Sequence, residues 1–147
     1  MIAVDTNILL YAHFKRFPAH ARAREWLRTL AEGHAPWALP VFCVGEFLRV
    51  ATHPRAMERP STVETAWAAV ESLLGSPSVR VLMPGPRFLP ILSEVLCAGD
   101  ARGNLVFDAQ IAALCIEHGA SRLLTADRDF SRFRRIRIVN LSDPMES

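Results

Sequence analysis

Lysine is almost absent from this chain of 147 residues: Lys15 is one of 17 basic residues, and all the others are arginine. A GC-rich genome is a sufficient cause of that bias, although arginine also suits the planar forks that bind phosphate. The 15 acidic residues leave a net charge of only +2. Bulk charge alone therefore does not indicate a nucleic-acid-binding protein.

Cysteine is scarce as well, and Cys43, Cys97 and Cys115 lie far apart in apolar surroundings. The sequence contains no CxxC pair and no Cys/His cluster with zinc spacing, which argues against a disulfide framework and a thiolate zinc site. We therefore expect all three to be small core residues in a reducing cytoplasm.

Long hydrophobic runs are missing too. The longest, residues 35–45, is interrupted by Pro36 and Pro40 and falls short of the roughly 18 residues that a membrane span needs. No basic segment precedes Ile2, and Asp5 interrupts the apolar start, so we expect no signal peptide. These absences predict a cytoplasmic protein without a membrane span.

What the sequence does contain is an alternation of short apolar strands with helices, and this alternation predicts an α/β fold. We expect a central, mainly parallel sheet of four to five strands, with one domain over residues 1–141 and a loose tail over residues 142–147. The predicted strands are residues 1–4, 37–39, 79–82, 122–125 and 136–139.

The first strand ends abruptly in Asp5, which is followed by Thr6 and Asn7. Such a residue is either a helix N-cap or an acid at the carboxyl end of a central strand, where open α/β sheets place their ligands. A phosphatase of the haloacid-dehalogenase type would need Asp at position 7, and a receiver domain would need a lysine near a late strand end. The sequence meets neither requirement.

Three further acids stand in unusual surroundings. Glu46 lies in a helix, residues 41–53, that is apolar nearly all round, so we expect this helix to be mostly buried. The charge of Glu46 then needs a partner, which is either Arg49 or another group. Asp108 lies on the apolar stripe of the sixth helix, or caps that helix. Asp127 follows the fourth strand, with Asp129 two residues later, and a solvated turn is the alternative.

Convergence of Asp5, Glu46, Asp108 and Asp127 on one cleft is the simplest account of all four positions. Carboxylates so placed repel each other unless cations lie between them, and hard oxygen ligands without His or Cys favour Mg²⁺ or Mn²⁺.

With these residues in view, the sequence resembles a PIN-domain endoribonuclease, and among those a VapC-type toxin of a bacterial type II toxin–antitoxin system. The resemblance covers almost the whole chain and implies a three-layer α/β/α sandwich. Its motifs are Val4-Asp5-Thr6-Asn7, Val44-Gly45-Glu46-Phe47, Phe107-Asp108-Ala109-Gln110 and Leu124-Thr125-Ala126-Asp127-Arg128-Asp129-Phe130.

The resemblance implies that Asp5 and Asp108 are the principal metal ligands, and that Glu46 and Asp127 bind a second ion or orient water. It also implies an RNA substrate, an antitoxin that covers the cleft, and a homodimer or a toxin–antitoxin hetero-oligomer. The alternative is a catalytically degenerate PIN-like RNA-binding or scaffold module. Candidate supporting residues are Thr6, Asn7, Thr125, Arg128 and Asp129.

Arginines cluster over residues 128–137, interleaved with Phe130 and Phe133. Two interpretations stay open: a rim that contacts phosphate, with an aromatic ring stacking on a base, or a solvated arginine face over buried phenylalanines. We expect the remaining acids, Glu94 and Glu117 among them, to be ordinary surface charges.

Overall fold

The computed structural model describes residues 1–145. Its centre is a five-stranded parallel sheet with the strand order β3-β2-β1-β4-β5. The first strand occupies the middle, as its apolar sequence predicts, because both of its faces are covered. The strands are β1 Ile2–Val4, β2 Trp37–Pro40, β3 Val79–Leu82, β4 Arg122–Leu124 and β5 Arg137–Val139.

Helices cover both faces of the sheet. The side chains of β1 alternate between two apolar clusters: Ile2 and Val4 join the cluster beneath α1, α2 and α4, whereas Ala3 joins the one beneath α5 and α6. The three-layer α/β/α sandwich is therefore confirmed. The helices are α1 Thr6–His13, α2 His20–Glu32, α3 Val41–Ala51, α4 Val63–Leu74, α5 Phe88–Gly99 and α6 Leu105–Glu117.

Two expectations about burial are wrong, whereas helix α3 is mostly covered as expected. Only Gly45 and Arg49 of that helix are exposed, although just Cys43, Phe47 and Ala51 are fully buried. Cys97 is exposed, whereas the other two cysteines are buried as predicted. Glu117 is a buried acid, with 4% of its side chain exposed.

Residues 126–135 follow β4 and are rich in arginine. They contain a short 3₁₀ helix, Arg128–Arg132, and the rings of Phe130 and Phe133 are buried beneath it in the core. These two phenylalanines decide the local structure, because each ring is removed from water when it packs into the core.

The boundary predicted at residue 141 stays a prediction. Asp143 contacts the domain, because Arg22 Nη2 donates to its backbone oxygen at 2.9 Å and its Oδ2 accepts from the Asn140 amide at 2.9 Å. The last two positions of the predicted loose tail, 146–147, lie outside the described residues.

Candidate active site

The candidate site lies at the carboxyl ends of the two central strands. Strands β1 and β4 are parallel neighbours, with Val4 opposite Leu124, and the Asp5 amide continues their ladder by donating to the Leu124 carbonyl at 3.0 Å. Residues that follow these strands therefore emerge at one edge of the sheet. Asp5 leaves from β1, and Asp127 follows β4 at that same edge.

The carboxylate of Asp5 is buried and accepts hydrogen bonds at both oxygens. Its Oδ1 accepts from the Thr6 amide at 2.7 Å, which makes Asp5 the N-cap of α1. Its Oδ2 accepts from Thr125 Oγ1 at 2.7 Å and from Asn7 Nδ2 at 3.3 Å. Asp5 is thus both a helix cap and an acid at the strand end, and the two interpretations of its sequence context do not compete.

Thr125 and Asn7 connect Asp5 to the loop that carries the next acid. Thr125 Oγ1 accepts from the Asp127 amide at 3.0 Å, and Asn7 Oδ1 accepts from the Ala126 amide at 3.3 Å. Asp127 Oδ1 in turn accepts from the Asp129 amide at 2.9 Å, which starts the 3₁₀ helix. The position of the Asp127 loop is therefore set by the same groups that orient Asp5.

Asp108 is the fourth residue of α6, so it is not the cap of that helix. One carboxylate oxygen from each of Asp108, Asp127 and Asp129 can be chosen so that all three lie within 4.8 Å of one another. Asp129, a secondary candidate from the sequence, therefore belongs to the same acidic group as Asp108. Asp5 stands outside this particular trio.

The electrostatics of the site show that its acids act on one another. Burial, and then the charges of Asp127, Asp5, Asp129 and Glu46, raise the pKa of Asp108 to about 7. Burial raises the pKa of Asp5 to about 6, although the hydrogen bonds from Thr125 and Thr6 lower it, and the charges of Glu46 and Asp127 add to the rise. The protein thus concentrates negative charge where water is scarce.

Glu46 faces this group from α3. It is partly buried, and its charge raises the pKa values of both Asp5 and Asp108. Within residues 1–145 it forms no ion pair with Arg49, its predicted helical partner. The structure therefore brings all four sequence-predicted acids to the same edge.

The sequence interpretation missed one contact of the site, the thiol of Cys43. Its Sγ lies 3.8 Å from Asp5 Oδ1, and burial, with the charge of Asp5 second, raises the pKa of Cys43 well above its ordinary value. Cys43 precedes Glu46 by three residues and so shares its side of α3, which is the signal that could have identified it.

The predicted basic rim is realised only in part. Arg128 is exposed beside Asp127 and Asp129. The rings of Phe130 and Phe133, 0% and 4% exposed, are not available to stack on a base, so for these rings the alternative of buried phenylalanines is the correct one.

The donor set suits a hard divalent cation. The trio of Asp108, Asp127 and Asp129 offers carboxylate oxygens only, and burial together with like charge raises the pKa of the first of them. A bound cation would relieve that repulsion, and oxygen ligands without sulfur or imidazole are those that Mg²⁺ and Mn²⁺ prefer.

Comparison with known proteins agrees with the geometry. The PIN-domain family profile matches residues 2–136. Ribonuclease VapC43 from Mycobacterium tuberculosis is 39% identical over 137 residues, which are 93% of this chain and 92% of that protein. Ribonuclease VapC31 from the same species is 36% identical over 139 residues, which are 95% and 97% of the two chains.

Solved structures share the fold. VapC20 from M. tuberculosis, described as a Sarcin-Ricin loop cleaving toxin, superposes with a TM-score of 0.66 at 23% identity and covers 93% of this chain and 99% of its own. VapBC2 from Rickettsia felis, described as bound to a DNA fragment from their promoter, has a TM-score of 0.69 at 19% identity over 95% and 98% of the chains. This chain belongs to the PIN-domain family and, within it, to the VapC ribonucleases.

Proposed function

We propose that the protein is a divalent-metal-dependent endoribonuclease and acts as the toxin of a toxin–antitoxin pair. The observation that carries the proposal is the convergence of Asp5, Glu46, Asp108 and Asp127 at one sheet edge, with the pKa of Asp5 raised to about 6 and that of Asp108 to about 7. Family membership supports the same activity, because the relatives that match over most of the chain are ribonucleases.

Asp108, Asp127 and Asp129 would hold a Mg²⁺ or Mn²⁺ ion, with Asp5 and Glu46 completing the acidic wall. When bound, such an ion offsets the carboxylate charge, lowers the pKa of a water and stabilises charge on the phosphodiester. These carboxylates would otherwise repel an anionic RNA backbone, so the substrate and the ion belong to one site.

The remaining residues of the site orient these acids. Thr125 and Asn7 hold the Asp5 carboxylate in one direction through Oδ2, and the Thr6 amide holds it through Oδ1. Cys43 is not a nucleophile, because it is buried and the raised pKa keeps its thiol protonated. We assign water, activated by the bound ion, as the attacking group, and hydrolysis of the phosphodiester as the reaction.

We extend the proposal to partners from the VapBC complexes that share this fold, among them VapBC2 from R. felis. The protein would be held inactive by a cognate antitoxin and would form a homodimer, or a hetero-oligomer with that antitoxin. No helix among residues 1–145 is long and apolar enough to cross a membrane.

The test is cleavage of a structured RNA by the purified protein with Mg²⁺ and with EDTA. We expect Asp5→Asn and Asp108→Asn to lower the cleavage rate by more than about a hundredfold, because even the partners of metal ligands are worth about 10- to 100-fold. Circular dichroism is the control for folding. Expression of the unmutated chain without an antitoxin should stop growth, whereas Asp108→Asn should not.

Retained cleavage in both variants would contradict the proposed site. Binding of RNA by the unmutated protein without any cleavage in Mg²⁺ or Mn²⁺ would favour a degenerate RNA-binding module instead.

A further inference from the structure

A second concave surface adjoins the acidic group. This arginine cleft, about 860 Å³ in volume, lies between α5 and the segment of residues 128–135. Asp129 belongs to its lining and also to the trio of acids at the candidate active site. The two features are therefore continuous, and a ligand that extends beyond the acids on this side enters the arginine cleft.

The floor of the arginine cleft is fixed by close packing. A Cβ atom at Gly99 would lie 2.8 Å from Cε1 of Phe133, so the end of α5 rests directly on that ring. Arg132 Nη1 donates to the Gly99 carbonyl at 2.9 Å, which ties the other wall to the same point. The cleft is thus preformed by backbone and buried side chains, and a ligand need not organise it.

Its lining carries an excess of positive charge. Four arginines and two acids, Glu94 and Asp129, line it, so the net charge of the lining is +2. Arg135 Nη1 lies 3.7 Å from Glu94 Oε2, and both side chains are well exposed. The hydrogen bond of Arg132 goes to a carbonyl and leaves its charge uncompensated. The cleft therefore has the opposite sign to the acidic group beside it.

Two of its arginines are uncommitted. Within the part of the chain that the structure describes, the side chains of Arg128 and Arg134 form no ion pair and no hydrogen bond, and both are exposed. Planar guanidinium forks match phosphate oxygens, and both groups are free to accept such a partner. The lining is therefore suited to a ligand with more than one phosphate.

We propose that the arginine cleft binds the phosphodiester backbone of the RNA strand that flanks the bond held at the acidic group. The inference rests on the proposed function and deepens it, because it assigns the direction in which the strand leaves the site. RNA is favoured over an acidic protein segment because a single strand presents its phosphates in series. One phosphate can then lie at the acids with their ion while the next ones reach Arg128 and Arg134.

The test is the salt dependence of RNA binding in EDTA, where cleavage does not interfere. The probe is a fluorescein-labelled single-stranded RNA of about 12 nucleotides, within the usual range of site sizes. Fluorescence anisotropy over a sodium chloride series gives the slope of log K against log salt. For Arg128→Gln/Arg134→Gln we expect a slope smaller by about 1.4, twice the value of about 0.7 per lost phosphate contact.

The matched control is Arg24→Gln/Arg28→Gln, which removes the same charge from exposed positions of α2 in the opposite layer. We expect its slope to equal that of the unmutated protein. Equal slopes for all three proteins would overturn the proposal. So would unchanged RNA binding by the cleft variant together with loss of binding to a polyglutamate peptide, which would assign the cleft to an acidic protein segment.

Cleavage by the unmutated protein in Mg²⁺, measured in parallel, keeps the two proposals separate. A smaller slope in the cleft variant combined with no cleavage by the unmutated protein would leave the cleft assignment standing and remove the proposed activity. Normal cleavage with no change in slope would support the proposed activity and overturn the cleft assignment.

Discussion

At the scale of single residues, Thr125 is the group on which the geometry of the site depends most. It is 1% exposed, and its hydroxyl donates to Asp5 Oδ2 while accepting from the Asp127 amide. One hydroxyl thus sets the orientation of one acid and the position of the loop that carries another. A hydroxyl can do both because it is a donor and an acceptor at once.

We therefore expect Thr125→Val, which keeps the shape and removes the hydroxyl, to lower kcat/KM for RNA cleavage by about 10- to 100-fold. Thr125→Ser keeps the hydroxyl and should retain most of the activity, so the pair separates hydrogen bonding from packing. A Mn²⁺ titration of both variants would show weaker ion binding only in the valine variant. Equal activity of Thr125→Val and the unmutated protein would remove the positioning role.

At the scale of secondary-structure elements, α6 connects the acidic group to the far side of the domain. Asp108 lies in its first turns, and Glu117 is its last residue. Glu117 Oε1 accepts from the Gly85 amide at 2.8 Å and Oε2 from the Arg87 amide at 2.9 Å. A Cβ at position 85 would lie 2.8 Å from Oε2, so a larger residue there would displace this carboxylate from its present position.

Removing that carboxylate leaves two amides of the loop before α5 without their acceptor. We expect Glu117→Ala to lower the free energy of unfolding by about 1.5–3 kcal/mol, the usual worth of hydrogen bonds to a charged group. The control is Glu94→Ala on α5, where the carboxylate is 71% exposed and its ion pair with Arg135 is long. That variant should stay within about 0.5 kcal/mol of the unmutated protein. Urea unfolding measures both, and similar losses would contradict the assigned role of Glu117.

At the scale of the whole molecule, four separate segments deliver acids to one sheet edge, and the fold tolerates their repulsion. The pKa of Asp5 is raised from 3.8 to about 6 and that of Asp108 from 3.8 to about 7. The folded protein therefore binds protons more tightly at these groups than the unfolded chain does. Their contribution to stability is full below pH 3.8 and is lost as the pH rises through about 7.

In EDTA, we expect the Tm of Asp108→Asn to rise relative to the Tm of the unmutated protein as the pH increases from about 5 to about 8. Each kcal/mol corresponds to about 2–4 °C for domains of about 150–250 residues. Subtracting the Tm values of the two proteins cancels the contribution of His13. Burial lowers the pKa of His13, so its effect on stability has the opposite dependence on pH. Mg²⁺ should raise the Tm of the unmutated protein at about pH 8 and have little effect at about pH 5. A pH-independent difference between the two proteins would contradict the coupling.

Much of the fold could be predicted because the signals are local. The apolar run of β1 ends at Asp5 within a few residues, and the alternation of strands with helices fixes the layered architecture. The four acids of the proposed site could be chosen because Asp5 and Asp127 follow the ends of apolar strands, whereas Glu46 and Asp108 lie on apolar faces of helices. Glu117 could not be found in this way: it ends α6 at a position typical of surface acids, and its partners are backbone amides that only folding brings near.

The sequence by itself determined the α/β class and the central position of β1, and it singled out the four acids as candidates, because the polarity of neighbouring residues carries each of these signals. Only the tertiary structure decided how those acids are grouped. It places Asp129 rather than Asp5 in the trio with Asp108 and Asp127, brings Cys43 against Asp5, and buries the rings of Phe130 and Phe133 in the core. The physical reason is that each of these outcomes depends on distances between segments far apart in sequence, which packing of the sheet and its two helical layers sets.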